Sequence, residues 1–227
     1  STLNSQLSTI NKWYNIDSLY ISSNEGISAI YKNKPTKTWG YRTFDMKAGV
    51  YTVSFDWKAK GDATDYMRVF MIPALSQFEE GSEIVYNFDG SVVSLSSAKQ
   101  TFPKDWIDLG RDGSVFNSTP YWSNYSKTFM ITPEMAGFYR FVVYWENDDV
   151  VNSNTLSAVI DNLIVEKSSC AYPYKIDIED INSTYLSISW QPVGGTPVSY
   201  NVVALTQELN PDLADPKYVV FSNFNKP

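Results

Sequence analysis

The chain has 227 residues, 43% hydrophobic and 15% aromatic, and 18 Lys and Arg against 25 Asp and Glu give a formal charge of −7. That composition supports a buried core, contains no apolar run near the ~20 residues that span a bilayer as a helix, and offers no basic stripe for nucleic acid. With no His and a single Cys170, the chain also excludes Ser-His-Asp and Cys-His catalysis, His-ligated zinc and an internal disulfide.

The first 48 residues or so are rich in turns, with short strands expected at Leu19-Tyr20-Ile21 and from Tyr41 to Met46. Tyr51, Val53, Phe55 and Trp57 then alternate with Thr52, Ser54, Asp56 and Lys58, a period of two that predicts a strand with one buried face. A loop through Gly61 leads to a strand from Tyr66 to Ile72, which stops at Pro73. Residues 74–126 read as a long polar excursion carrying Trp106, Tyr121 and Trp122, with small strands of its own. A short strand follows at Lys127 to Thr132, then a turn through Pro133 and Gly137. The strand from Phe138 to Trp145 is apolar on both faces apart from Arg140, so it should be central or covered. No segment holds a 3.6-residue period for ten residues, and the expected fold class is all-β.

A second unit is expected from Ser168. Tyr174, Ile176 and Ile178 alternate with polar residues, as do Leu186, Ile188 and Trp190, and a Pro/Gly corner precedes another strand from Val198 to Leu205. This order resembles the first half of a fibronectin type III domain, an immunoglobulin-like sandwich. The remainder from Cys170 to Pro227 is shorter than such a domain needs, so the sequence reads as part of a longer protein with its last domain incomplete; a smaller, divergent sandwich is the alternative. The expected division is 1–167 and 168–227.

The first unit resembles a surface family through Lys12-Trp13-Tyr14, Ala48-Gly49-Val50-Tyr51-Thr52, Ser54-Phe55-Asp56-Trp57, Tyr66-Met67-Arg68-Val69, Tyr139-Arg140, Trp145-Glu146-Asn147-Asp148 and Ile160-Asp161-Asn162-Leu163. In that order these segments look like the jelly-roll, galactose-binding-like modules of bacterial surface and secreted proteins, related to MAM and cleaved-adhesin domains. The resemblance implies an extracellular or cell-surface, non-catalytic module that recognises carbohydrate, or else an adhesive spacer working through protein–protein contacts. It also implies a structural calcium ion. The chain opens on Ser1 without a signal-like stretch, so export would need a targeting segment outside this sequence.

Candidate site residues follow from pattern and resemblance together. Trp39, Tyr41, Trp106, Tyr121 and Trp122 lie in or beside predicted loops, where an aromatic face can stack on a sugar ring; covering the sheet edges is the alternative. Strict alternation puts Asp161 on the same face as Val159, Leu163 and Val165, where a carboxylate needs a cation or several N–H donors. The resemblance makes Asp161 a calcium ligand with Glu25 as partner; a backbone-capping role, or pairing with Arg140 or Arg68, is the alternative. Asp148 and Asp149 at a strand end are rim carboxylates or a solvated loop. No motif nominates a catalytic pair, and the expected partners are a glycan or a surface protein.

Overall fold

The computed structural model describes residues 13–15, 19–21, 27–29, 35–60, 64–96, 102–110, 115–148, 156–169, 172–181, 186–193, 200–204 and 219–224. Glu25, Asp149 and Cys170 lie outside them. Among the described residues every regular element is a strand: β1 (Trp13–Asn15), β2 (Leu19–Ile21), β3 (Ile27–Ala29), β4 (Thr36–Met46), β5 (Gly49–Lys60) and β6 (Tyr66–Pro73). Next come β7 (Gln77–Phe78), β8 (Ile84–Tyr86), β9 (Val92–Ser94), β10 (Ile107–Asp108), β11 (Thr119–Ile131), β12 (Gly137–Asn147) and β13 (Leu156–Lys167). The chain continues through β14 (Tyr172–Ile181), β15 (Leu186–Val193), β16 (Tyr200–Ala204) and β17 (Val219–Phe224).

Two five-stranded antiparallel sheets form the body, ordered β1-β4-β12-β6-β10 and β11-β5-β13-β3-β2. The long strands alternate between the sheets along the chain, β4, β6 and β12 in one and β5, β11 and β13 in the other, which is the jelly-roll habit. The period-two reading of β5 holds: Tyr51, Val53, Phe55, Trp57 and Ala59 are buried while the residues between them are half-buried. These side chains meet Met67, Val69, Met71, Phe141, Val143 and Trp145 from the facing sheet. The Phe55 ring lies 5.7 Å from Phe116 and 5.8 Å from Phe141, in tilted and edge-on contacts. Each large side chain fully buried here stabilises the fold by ~1.5–3 kcal/mol, and the favourable ring geometry adds to that.

The first sheet is covered on its other side too. Strands β7, β8 and β9 form a small sheet of their own, and Val85, Val93, Leu95 and Trp106 pack on Trp39, Phe70, Ile72, Val142 and Tyr144. This cover explains why β12 is apolar on both faces, as its sequence required. Polar side chains pin the cover down. Arg140 Nη1 donates to the Ser76 carbonyl at 2.7 Å, Arg68 Nη1 donates to the Leu95 carbonyl at 3.2 Å, and Lys37 bridges to Glu83 at 2.9 Å. Burial pulls the Arg140 guanidinium below its ordinary range, partly offset by Tyr41 and Tyr14.

Two sequence expectations change here. The strand expected from Tyr41 starts at Thr36, so Trp39 and Tyr41 both sit well within β4, on the covered side of the first sheet, where Tyr14, Trp39, Tyr41 and Phe78 stack ring on ring. The strand expected at Lys127 starts much earlier, at Thr119, so Tyr121 and Trp122 belong to β11 and not to the excursion.

Beyond the sandwich, β14 pairs with β15 and β16 with β17, each as a two-stranded ladder. Trp190 and Val193 are buried, but Ile176 and Ile178 are exposed rather than inward-facing. Both phases of β14 are exposed from Lys175 to Asp180, and its pairing shifts register between Tyr174 and Asp177, with Lys175 in the left-handed region at φ 48°. The distortion aims two side chains back at the sandwich: the Tyr174 hydroxyl and the Lys175 ammonium donate to Glu134, on the β11–β12 turn, at 2.8 and 2.7 Å.

Candidate functional site

With the first sheet closed over, the outward face of β11, β5 and β13 is an extended open surface of the sandwich. Its side chains are set by register. Asn124 stands opposite Asp56, Ser126 opposite Ser54 and Thr128 opposite Thr52 across the β11–β5 pair. On the other flank Asp161 stands opposite Asp56 and Glu166 opposite Thr52. The result is a polar surface along some six residues of strand, on the order of 20 Å long.

Asp56 organises its centre. Asn124 Nδ2 donates to one carboxylate oxygen at 3.0 Å, and Asn162 Nδ2 donates to the other at 2.8 Å. These bonds, from Asn162 first and then Asn124, hold the Asp56 carboxyl below its ordinary value, so it stays ionised. An ionised carboxylate has about four lone-pair sites, so acceptor capacity remains for a ligand hydroxyl. Thr52 and Thr128 share a hydroxyl hydrogen bond at 3.1 Å further along.

The aromatics stand at one end. The β11–β5 register shifts between Thr119 and Ser123, and the extra residues carry Tyr121 and Trp122 out of the ladder, 80% and 50% exposed. The Lys58 ammonium lies 4.5 Å from the Trp122 ring centre, a cation–π contact that steadies the indole. Trp39 and Trp106, by contrast, are 5% and 6% exposed. They are core residues under the cover, and Trp106 Nε1 donates to Asn87 at 3.3 Å. Tyr41 is half-buried between the Tyr14 and Phe78 rings, with the Arg140 guanidinium 4.5 Å from its centre. Of the five aromatics, Tyr121 and Trp122 alone present a broad face to solvent.

Asp161 does not sit on the apolar face. Asn162 adopts φ 52°, and the β13–β5 register shifts between Asp161 and Ile164, so the alternation breaks there. Ile160 and Val165 pack inward while Asp161 shares the outward face with Asp56. Its Oδ1 accepts the Asn162 backbone N–H at 2.8 Å, the capping role. Arg140 and Arg68 are engaged elsewhere, with Ser76 and Asp108. No three metal-ligating side chains converge among the described residues, and the partner expected for Asp161, Glu25, lies outside them.

A second polar cluster lines a cleft of about 340 Å³ at the sandwich rim, with Lys37, Tyr66, Glu146 and Asp148. Its carboxylates are already engaged. Glu146 accepts the Tyr66 and Tyr144 hydroxyls at 2.7 and 2.8 Å, and Asp148 accepts the Thr64 hydroxyl at 2.7 Å. Burial, reinforced by Glu146, pushes both tyrosines far up, so they act as fixed donors. This arrangement braces the rim.

Asp56, Lys58, Asn124 and Asn162 had no place among the residues expected at the site. Their sequence signal was faint: polar residues on the outward phase of a strand, with partners 68 and 106 residues away.

No family model matches the chain, and no curated protein does. Among solved structures, TmCBM61 in complex with β-1,4-galactotriose is 11% identical with a TM-score of 0.36, over 71% of this chain and 93% of that one. The CBM22-2 xylan-binding domain from Paenibacillus barcinonensis Xyn10C is 11% identical with a TM-score of 0.38, over 69% of this chain and 91% of that one. The Endo-D glycoside hydrolase domain from Streptococcus pneumoniae R6 is 11% identical with a TM-score of 0.34, over 85% of this chain and 28% of that one. At these levels the likenesses assign the chain neither a family nor a ligand.

Proposed function

We propose that this chain is a non-catalytic, extracellular carbohydrate-binding module that takes a glycan on the outward face of β11, β5 and β13. The observation that carries the reading is the Asn124–Asp56–Asn162 row beside exposed Trp122. A sugar presents an apolar C–H face and a fringe of hydroxyls. An indole covers the first and a row of amides, carboxylate and hydroxyls receives the second. An open face of this kind suits a chain-like glycan laid along the strands rather than a small molecule enclosed in a pocket. The segment from Ser168 belongs, in this reading, to a separate fibronectin-like unit; the buried Trp190 and Val193 support a small core there.

The test is a glycan array followed by calorimetry on the hits. Trp122→Ala should weaken binding at least tenfold, about 1.4 kcal/mol, and Asp56→Ala should do the same, with the thermal unfolding of Trp122→Ala unchanged. The reading fails if no glycan is retained at millimolar concentration, or if retained glycans ignore both substitutions.

A further inference from the structure

An open cleft of about 680 Å³ lies at the other end of the sandwich, where four turns meet. We propose that it docks a polypeptide segment of a partner protein, one carrying an apolar side chain flanked by Lys or Arg. This goes beyond glycan binding and uses none of the same residues.

The lining is aliphatic and aromatic rather than amide-rich. Leu75 and Phe88 come from separate turns and are 62% and 63% exposed, and Met135 and Phe138 line the same cleft. Two such side chains left in water beside an apolar floor are unusual in a fold whose remaining phenylalanines are mostly covered. A sugar hydroxyl facing that floor would lose its hydrogen bond with water and gain none. An apolar side chain gains instead.

The walls are preformed. The Ala74 N–H donates to the Phe138 carbonyl at 2.8 Å and ties the Leu75 turn to the floor. The turns carrying Phe88 and Pro103 are closed by Asn87 N–H to Ser91 O at 2.8 Å and Trp106 N–H to Pro103 O at 3.0 Å. A rigid cleft avoids the ordering cost that weakens many docking sites.

The rim sets the charge of the occupant. Glu134 is ion-paired with Lys175, which leaves Asp89 and Asp105 against Lys104, on a chain whose overall charge is −7. Two of these carboxylates are fixed in place. Asp89 Oδ1 accepts the Ser91 N–H and hydroxyl at 2.8 and 2.6 Å, and Glu134 is clasped by Tyr174 and Lys175. An acidic rim around an apolar floor favours cations beside an apolar anchor and repels acidic segments.

The experiment titrates the isotope-labelled full chain with two blocked pentapeptides, Lys-Leu-Trp-Leu-Lys and Glu-Leu-Trp-Leu-Glu, and with cellohexaose, following amide resonances by NMR. The basic peptide should give saturable shifts at residues 73–75, 87–89, 103–105 and 134–139. The acidic peptide should bind at least fivefold more weakly. Phe88→Ala and Leu75→Ser should each abolish the shifts without changing the melting temperature, because both side chains are exposed. Trp122→Ala should leave peptide binding intact, which keeps this result separate from the glycan reading. The proposal is overturned by no saturable shift at millimolar peptide, by equal binding of the acidic peptide, by shifts centred elsewhere, or by cellohexaose shifting these resonances in place of the peptide.

Discussion

Replacing Phe70 with Ala tests the claim on which the site assignment depends, that the first sheet is closed on its outer face. Phe70 is fully buried there, 5.2 Å from Phe102, 6.2 Å from Trp106 and 5.1 Å from the Arg68 guanidinium. Burial of the ring contributes ~1.5–3 kcal/mol, and each edge-on aromatic pair ~0.5–1.5 kcal/mol. The expected loss is therefore ~3–5 kcal/mol, the usual range for Phe→Ala in a packed interior. At roughly 2–4 °C per kcal/mol for a chain of this size, the melting temperature should fall by about 6–20 °C. Urea unfolding reads the free energy directly, and an unchanged slope would show that the denatured state is unaltered. Phe88→Ala, on the exposed wall of the end cleft, is the control and should change stability by less than about 0.5 kcal/mol. If Phe70→Ala costs under about 1 kcal/mol, the small sheet is a loose flap. The stacked rings of Tyr14, Trp39 and Tyr41 would then be reachable by ligand, and the open face of β5 would lose its special standing.

Three further outcomes are expected. The Glu134 carboxyl should titrate near pH 2 by NMR, held down chiefly by Lys175, and Lys175→Ala should return it toward 4.5. Because this pKa is depressed, whatever the clasp adds to stability is fully present above about pH 4.5 and fades as pH falls toward 2, so a clasp that strengthens on acidification would contradict the geometry. Gly49 sits at φ 155°, and a Cβ there would meet the Lys167 side chain; Gly49→Ala should cost ~1–3 kcal/mol in urea unfolding, and a neutral result would refute the strain. Lys127 points inward from β11 and donates to the Asp108 and Gly110 carbonyls at 2.8 and 3.5 Å. Lys127→Ala should cost ~1–3 kcal/mol and raise light scattering on storage, since an inward charge discourages pairing along a sheet edge.

Sequence pattern carried the sandwich itself. In β5 the apolar phase never breaks, and the apolar residues on both phases of β12 fit a strand that is central or covered; it is both. What escaped was structure without its own apolar phase. The inward side of β11 reads Ser123, Tyr125, Lys127 and Phe129, so its first half looked like loop, and the aromatics on it were credited to an excursion. Trp39 and Trp106 have polar flanks that suggest exposure; their cover comes from Val85 and Val93, in strands of three residues that alternate too briefly to stand out, and from Leu95 just after the second. Asp161 was put on the wrong face because strict alternation was carried through a bulge. Asn162, a residue type that tolerates positive φ, was the available warning. Within the site, Tyr121 and Trp122 were legible as exposed aromatics. The Asp56 row was not, because its three members come from distant parts of the chain.

The two sheets leave unequal room for substitution. In the first, nearly every position of β6 and β12 is wedged between packed layers, so a change in either direction disturbs a core. In the second, Thr52, Ser54, Ser126 and Thr128 stand outward from a scaffold secured entirely from behind. If the proposed glycan face is the binding surface, drift at those four positions would remake its preference while the architecture beneath goes untouched. A library randomised there is accordingly the natural starting point for altering the preference of this protein.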